Sequence, residues 1–174
     1  RDKADNEEHA AIIKGDITTP EPVLTRMHSS CLTSEVFEAI NCDCAEQMDK
    51  AMERIAQEGR GVIVYLHQEG RGNGLVGKLL QFRAMAEQDL DTVEACRITG
   101  QKLENRNYKV GADIYKDLGI TAPLRLMTHN PDKIGGLEQA GFKVIPDHFQ
   151  VNINSPMTKR NLEAKQRELG HIYP

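Results

Sequence analysis

An uninterrupted apolar run at residues 61–66, Gly-Val-Ile-Val-Tyr-Leu, restricts the folds that are open to this sequence. A short apolar run that ends at a polar, glycine-rich segment, here residues 67–74, is typical of a strand buried on both faces of a sheet. Further strands are predicted at residues 9–14, 22–28, 124–127 and 142–146, and helices at 45–57, 75–87, 112–118, 133–140 and from Ser155 or Met157 to Leu169. Strand and helix alternate, so we predict an α/β (or α+β) fold with a mixed sheet flanked by helices.

The length of 174 residues suits a single domain that covers residues 1–174. The sequence begins with Arg1 rather than Met, and we expect an N-terminal segment of the full protein to be missing. No apolar stretch approaches the roughly 20 residues that span a bilayer, and residues 1–8 are charged rather than signal-like. These features predict a cytoplasmic protein without a membrane partner.

The formal net charge of −4 argues against a nucleic-acid partner, because nothing in the overall charge attracts a polyanion. A slightly acidic chain of this kind is typical of a cytosolic enzyme that acts on small molecules. An anionic substrate would then need a local cluster of Arg and Lys side chains.

Three of the four cysteines lie close together, with the spacing C-x10-C-x-C at Cys31, Cys42 and Cys44. In a chain without secretion signals such cysteines indicate metal binding or catalysis rather than disulfides, and three soft ligands favour Zn²⁺. A catalytic zinc site has three protein ligands and a water, which is the interpretation we favour. The alternatives are a structural zinc site closed by His28 as fourth ligand, and buried free cysteines without a metal.

A water molecule bound to zinc has a pKa of roughly 7, so a three-ligand site predicts a hydrolase. The zinc nucleobase deaminases are one rival class. Their signature is H-x-E followed by P-C-x-x-C, and neither part occurs in this sequence.

Six segments of the sequence together resemble the GTP cyclohydrolase II family. They are residues 26–33 (RMHSSCLT), 41–44 (NCDC), 67–75 (HQEGRGNGL), 91–95 (DTVEA), 104–106 (ENR) and 126–133 (LMTHNPDK). Members of that family hydrolyse GTP at C8 of guanine, release formate and pyrophosphate, and start riboflavin synthesis. They use Zn²⁺ and Mg²⁺ and act as homodimers. The resemblance therefore implies GTP or a related purine nucleotide as substrate, both metals and a homodimer.

The resemblance also implies individual site residues. The zinc ligands are Cys31, Cys42 and Cys44, and the nucleotide contacts are Arg26, Met27, His28, Ser29, Ser30, Gln47, Glu69, Gly70, Arg71, Thr92, Thr128 and Lys133. Arg26, Arg71 and Lys133 would bind phosphates that Mg²⁺ bridges, and Glu69 would accept hydrogen bonds from the guanine N1–H and 2-amino groups. Each assignment has an alternative: residues 69–73 as a solvated loop, Lys133 as surface charge and Thr128 as a helix cap.

The family's catalytic pair falls on Glu104 and Arg106. The family has Asp as general base where this sequence has Glu104, which keeps the carboxylate and moves it by about one methylene. The family assigns to the position of Arg106 a nucleophilic attack on the α-phosphorus. A guanidinium with a pKa above roughly 12 is better suited to clamp the phosphate in the transition state. Ser30 stands where the family has an acidic residue beside the first zinc ligand.

The family also has a tyrosine on the helix after the glycine-rich loop, and no alignment supplies one here. Different alignments put Phe82, Arg83 or Met85 at that position. Family members without this tyrosine stop at the formamidopyrimidine nucleotide, so we predict that formate is retained, and its release, as in riboflavin synthesis, is the alternative. Two further alternatives stay open: a specialised relative acting on another nucleotide in pyrimidine catabolism or natural-product synthesis, and a catalytically silent nucleotide-binding paralogue.

Overall fold

A computed structural model describes residues 7–150, 153 and 155–173 of the chain. Its centre is a five-stranded mixed sheet in the order β1-β3-β2-β4-β5. The strands are β1 (Ala10–Lys14), β2 (Val23–Ser29), β3 (Gly61–Leu66), β4 (Leu124–Met127) and β5 (Val144–Asp147). Strand β1 pairs antiparallel with β3, and the other pairs are parallel. The predicted α/β fold is confirmed, and the five predicted strands agree with it to within two residues at each end.

Seven α-helices surround the sheet in the described part of the chain. They are α1 (Leu32–Glu35), α2 (Cys44–Glu58), α3 (Gly74–Gln88), α4 (Thr92–Ile98), α5 (Tyr108–Asp117), α6 (Pro131–Gln139) and α7 (Pro156–Leu169). A 3₁₀ turn, Glu69–Gly72, precedes α3. Helix α4 was not predicted from the sequence, and α5 starts at Tyr108 rather than near residue 112. No helix in the described ranges is long and apolar enough to cross a membrane.

The strand side chains alternate between two cores, as the period of two in a strand requires. On one face Met27, Val64 and Leu126 pack with residues of α5 and α6 such as Tyr115 and Leu137. On the opposite face Leu24, Ile63 and Met127 pack with Ala51 and Ile55 of α2. Both faces of the sheet are therefore covered, which explains why the run at 61–66 is apolar throughout.

The parallel strands place their carboxyl ends at one edge of the sheet, where ligands gather in α/β folds. Strand β2 leads into Cys31 and α1, β3 leads into the 3₁₀ turn, and β4 leads into residues 128–130. A third small core, formed by Ala84, Met85 and Ala95 with Met157, joins α3, α4 and α7 beside the same edge. The site described next lies where these connections converge.

Candidate active site and metal centre

One pocket opens at this edge and collects most of the residues predicted from the sequence. Its lining includes Arg26, His28, Ser29, Ser30, Cys31, Cys42, Cys44, Gln47, Glu69, Gly70, Arg71, Thr92, Arg106, Thr128 and Lys133. Two predicted site residues, Met27 and Glu104, are not part of that lining. The segments that were separated in the sequence thus meet in one place.

The three clustered cysteines form a compact thiol group. Their Sγ atoms all lie within 4.8 Å of one another, and those of Cys31 and Cys42 are 3.6 Å apart. Zinc–sulfur bonds of about 2.3 Å in tetrahedral geometry place sulfur atoms roughly 3.8 Å apart. Cys31 lies at the N-terminus of α1 and Cys44 is the first residue of α2, so two helix starts position the ligands. The thiol group fits a zinc ion.

Lys78, which was not predicted from the sequence as a site residue, lies against this thiol group. Its Nζ is 2.8 Å from Cys31 Sγ and 2.9 Å from Glu69 Oε1. The pKa of Cys31 is lowered, first by hydrogen bonds with the Cys42 and Cys44 thiols and then by the positive charge of Lys78. The ammonium group therefore favours the thiolate, which is the form that binds metals.

His28 does not close the site as a fourth zinc ligand. Its Nδ1 accepts a hydrogen bond from Arg26 Nε at 3.0 Å, so Nε2 carries the proton and donates to Glu35 Oε1 at 2.9 Å. Glu35 also accepts hydrogen bonds from the Cys31 backbone N–H and the Tyr65 hydroxyl. Both ring nitrogens are thus engaged, and the structural-zinc alternative with His28 as ligand loses its support. Instead, this chain of contacts fixes the segment that carries Cys31.

Two buried cations project from the sheet side of the pocket. The Arg26 guanidinium donates to Met127 O at 3.1 Å and Gln47 Oε1 at 2.6 Å. The Lys133 ammonium donates to Met27 O at 2.8 Å. Burial lowers the pKa of Lys133 well below its usual value, and the nearby charges of Arg106 and Arg26 lower it further. An anion bound in the pocket would raise the pKa of Lys133 again, because its negative charge offsets both the burial and the neighbouring positive charges.

The Met27 side chain does not reach the pocket, so the predicted nucleotide contact of Met27 stays a prediction for its backbone alone. Met27 is 1% exposed and packs in the core on the face opposite to Arg26 and His28. Strand alternation is the physical reason, because neighbouring residues in β2 point to opposite faces of the sheet. Only the Met27 carbonyl faces the site, and it accepts the hydrogen bond from Lys133.

The glycine-rich loop is a structured turn rather than a solvated connection. Glu69 Oε2 accepts the Leu32 N–H at 2.7 Å, and Oε1 accepts the Gly70 N–H at 2.8 Å together with Lys78. Both Glu69 oxygens are therefore engaged in the protein, and a guanine ring would have to share or replace these donors. Arg71 has a left-handed backbone with φ of 56°, which costs a non-glycine residue strain and holds its side chain inward.

Arg71 offers an unused donor to the pocket. Its NH2 donates to Thr92 Oγ1 at 3.1 Å, whereas its buried NH1 has no hydrogen-bond partner among the described residues. Burial lowers the pKa of Arg71, and the charge of Arg106 adds to that effect. A buried cation with a free N–H is a strong site for a phosphate oxygen.

Glu104 and Arg106 form a closed pair. Glu104 Oε1 accepts Arg106 N–H at 2.9 Å and Nε–H at 2.8 Å, while Oε2 accepts from Arg106 NH2 and from the Tyr108 hydroxyl. Burial would raise the pKa of Glu104, but the hydrogen bonds and charge of Arg106 outweigh it and the pKa is lowered. Burial likewise opposes the charge on Arg106, yet Glu104 raises its pKa. Arg106 therefore stays a charged guanidinium in the pocket wall.

The three alignments of the family tyrosine are separated by where their side chains lie on α3. Phe82 and Met85 line the pocket, and the Phe82 ring centre is 5.7 Å from Lys78 Nζ. The Arg83 side chain is 72% exposed and pairs with Glu87. Arg83 therefore cannot replace the tyrosine, and the pocket wall at this helix has no hydroxyl.

Several pocket residues were missed by the sequence analysis. They are Asn41, Asp43, Gln68, Lys78, Gln81, His129, Asn130, Asn161, Lys165, His171 and Tyr173. Asp43 lies between Cys42 and Cys44 in the sequence, and His129 and Asn130 lie inside the family motif at residues 126–133. Their closeness in sequence to predicted site residues could therefore have indicated them. Residues 161–173 gave no such signal, because they reach the pocket only through the folding of α7.

Together, the mixed α/β sheet, the three-thiol group and the cation-lined pocket define a domain that places a possible metal site in a positively charged pocket. The family model described as GTP cyclohydrolase II matches residues 1–148. The chain belongs to the GTP cyclohydrolase II family.

Three relatives named "Riboflavin biosynthesis protein RibBA" show the extent of the similarity. The protein from Phocaeicola vulgatus is 44% identical over 172 residues, which are 98% of this chain and 42% of that protein. The protein from Bacillus cytotoxicus is 45% identical over 171 residues, 97% of this chain and 42% of that protein. The protein from Chlorobium phaeovibrioides is 43% identical over 169 residues, 97% and 40%. The chain thus spans about two-fifths of the length of these curated relatives.

Proposed function

We propose that this chain hydrolyses the imidazole ring of GTP at C8 and releases pyrophosphate, giving a pyrimidine nucleotide. The observation that carries the proposal is the three-thiol group in a pocket that is also lined by Arg26, Arg71, Arg106 and Lys133. The thiol group suits a metal that activates water, and the cations suit a polyphosphate. Incubation with GTP, Zn²⁺ and Mg²⁺, followed by mass analysis, tests it. Unchanged GTP with no pyrophosphate formed would refute it.

Zinc would be held by Cys31, Cys42 and Cys44, and when bound it would supply Lewis-acid activation of water. Cys42→Ser is expected to reduce bound zinc from about one ion per chain to nearly none, since a three-ligand site depends on every thiolate. Cys96 is the matched control, because its buried thiol contacts the carbonyls of Gln101 and Lys102 instead. Cys96→Ser should keep its zinc in elemental analysis, and equal zinc in both variants would contradict the assignment.

The pocket cations would bind and orient the triphosphate. Arg71 has a free N–H, Arg106 is kept charged by Glu104, and Lys133 regains a favourable charge when an anion arrives. Arg106 is suited to clamp the α-phosphate rather than attack it, because its positive charge is stabilised. The Glu104 carboxylate would then orient Arg106. To act as general base, Glu104 would first have to be released from its pairing with Arg106.

Mg²⁺ would enter with the phosphates rather than through protein ligands. The carboxylates that line the described pocket are Asp43 and Glu69. Glu69 is engaged by Lys78 and two backbone N–H groups, and Asp43 Oδ2 accepts from Gln47 while Oδ1 lies 3.9 Å from Lys165 Nζ. The pocket offers no free carboxylate pair to this ion, so no catalytic role for a protein-bound Mg²⁺ follows.

We further propose that formate is retained as a formamidopyrimidine. The first hydrolysis opens the ring, and a second must remove the formyl group. At the positions aligned with the family tyrosine, the pocket side of α3 presents Phe82 and Met85, and neither side chain can donate or orient a proton for the second step. Mass analysis of the product from GTP decides this point, and stoichiometric formate would refute it. Phe82→Tyr is expected to restore some formate release, whereas Arg83→Tyr, on the exposed side of α3, should not.

The closed Glu104–Arg106 pair favours one alternative, a nucleotide-binding domain without turnover. In this case the chain would bind GTP tightly in the presence of Zn²⁺ and form no product. Glu104→Asp, which restores the family's aspartate at this position, would then produce activity. Turnover by the unchanged chain rejects this alternative, and a panel of other purine nucleotides tests for a specialised relative.

A homodimer is also part of the proposal, as is a cytoplasmic location. Exposed apolar side chains on β1 and after α1, among them Ile12, Val36 and Phe37, are consistent with a covered surface. Light scattering coupled to size exclusion would give the mass, and a monomer at micromolar concentration would contradict the dimer.

A further inference from the structure

The last described residues, Gly170–Tyr173, fold back across the open edge of the sheet. Gly170 ends α7 in the left-handed conformation with φ of 65°, which reverses the chain direction. The backbone N–H of His171 then donates to Lys165 O at 3.3 Å, and that of Ile172 donates to His129 O at 2.9 Å. These bonds fix the segment between α7 and the end of β4. The segment lies outside residues 1–148, the range that the family model matches.

Alternate side chains of this segment point into the pocket. His171 and Tyr173 both line it, whereas Ile172 is 50% exposed. The Tyr173 ring packs against His129 with ring centres 4.8 Å apart, and the Tyr173 hydroxyl lies 3.1 Å from His171 Nδ1. When the hydroxyl donates to Nδ1, Nε2 of His171 carries the proton. Among the described residues no partner accepts from this Nε2–H.

His171 shares the pocket with several cations. Burial and the charges of Lys165, Arg106, Arg71 and Lys133 lower its pKa to about 2. The imidazole is therefore neutral and acts as a donor surrounded by positive charge. A neutral donor adds a hydrogen bond to a polyanion without adding to the repulsion among the cations.

We propose that His171 is a polyphosphate-binding residue of this pocket and that Tyr173 is a positioning residue that holds its ring. The proposal rests on the proposed function for the identity of the nucleotide. It states in addition that the segment Gly170–Tyr173 makes the pocket prefer a nucleoside triphosphate to the monophosphate. The preference arises because His171 adds an uncharged donor to a pocket that Lys165, Arg106, Arg71 and Lys133 also line, and a triphosphate offers more oxygens than a monophosphate to accept from it.

The test is equilibrium binding with Zn²⁺ and Mg²⁺ present. The probes are GMP and a GTP analogue that carries a methylene group in place of the α,β-bridging oxygen. His171→Ala is expected to weaken binding of the analogue about tenfold, the usual loss for one hydrogen bond to a charged group, and binding of GMP by less than about threefold. His171→Gln keeps an N–H near the position of Nε2 and should retain most of the affinity. Tyr173→Phe should lose about threefold for the analogue alone.

Ile172→Ala is the matched control. It changes an exposed side chain in the same segment and keeps the backbone bond to His129, so both affinities should be unchanged. Retained GMP binding by His171→Ala shows that the variant is folded. Equal binding of the analogue by His171→Ala and the unchanged chain would overturn the inference alone. If the unchanged chain bound neither nucleotide, the proposed function and the inference would both fall.

Discussion

Replacing Arg26 by Met tests whether the sheet side of the site is held together by one buried guanidinium. Arg26 is 4% exposed and donates to three acceptors, His28 Nδ1, Met127 O and Gln47 Oε1. Methionine has a similar length and no donor, so Arg26→Met leaves these acceptors in place without a partner. The variant removes hydrogen bonds and charge while approximately conserving volume.

The expected magnitude follows from two opposing effects. An acceptor left unpaired in a buried site costs about 1–3 kcal/mol, so the three acceptors together cost roughly 6 kcal/mol. In the other direction, burial lowers the pKa of Arg26 from 12.5 to about 10, and at about 1.4 kcal/mol per pKa unit the buried charge costs roughly 3.5 kcal/mol that methionine avoids. The free energy of unfolding should therefore fall by about 2.5 kcal/mol.

The assay is urea unfolding monitored by circular dichroism, with zinc held at one concentration. Arg125→Met is the matched control, because Arg125 lies on the neighbouring strand β4 and pairs with Glu58 at a side-chain exposure of 34%. A partly exposed pair of this kind contributes about 0–1 kcal/mol. A loss below about 1 kcal/mol for Arg26→Met, or equal losses in the two variants, would refute the reasoning.

Three further outcomes are expected. Gly72→Ala should reduce activity strongly and destabilise the chain, because φ of Gly72 is +79° and the new Cβ would lie 2.5 Å from the backbone oxygen of Asn105. Enzyme kinetics and urea unfolding measure the two effects. A fully active variant would contradict this prediction. Glu35→Gln should lower the free energy of unfolding by about 1–3 kcal/mol, because the amide N–H₂ would face donors where Glu35 now accepts from His28, Cys31 and Tyr65. An unchanged free energy of unfolding would argue against this role of Glu35. Burial lowers the pKa of His129 and His171 below 6.5, so the unfolded chain binds more protons in acid. Stability should therefore be greatest above about pH 7 and fall toward pH 5, by up to about 1.4 kcal/mol per pH unit for each imidazole; unfolding curves that do not change with pH would exclude this effect.

The strands were predictable because each is an apolar run of the right length bounded by turn residues. Helix α4 was missed because it is short, and its capping box of Asp91 and Glu94 was taken only as part of a family motif. The start of α5 was placed too late, since Asn107 caps it through Lys109 N–H before the first apolar repeat becomes visible. Cap residues, rather than hydrophobic periodicity, were the signal that would have corrected both.

The site was predictable where its parts are local motifs and not where tertiary packing builds it. A family motif assigns consecutive residues to a ligand, but a strand presents every second side chain to one face, and for that reason the Met27 side chain lies outside the pocket. The predicted strand at residues 22–28 already implied that the Met27 side chain points to the face opposite to Arg26 and His28. Lys165, His171 and Tyr173 carry no motif, and only the packing of α7 beside α3 and α4 brings them to the pocket.

The chain has a net charge of −4, yet its proposed substrate is a polyanion. The two are compatible because positive side chains are concentrated in the pocket. The pocket collects six Arg and Lys side chains against two carboxylates among its described lining residues, and both carboxylates are engaged by neighbours. Burial lowers the pKa of Lys133 and Arg71, so the free pocket holds these charges at a cost. A ligand with several negative charges reduces that cost, whereas a neutral nucleoside does not. We therefore expect the pocket to favour polyphosphates even though the net charge of the chain is negative.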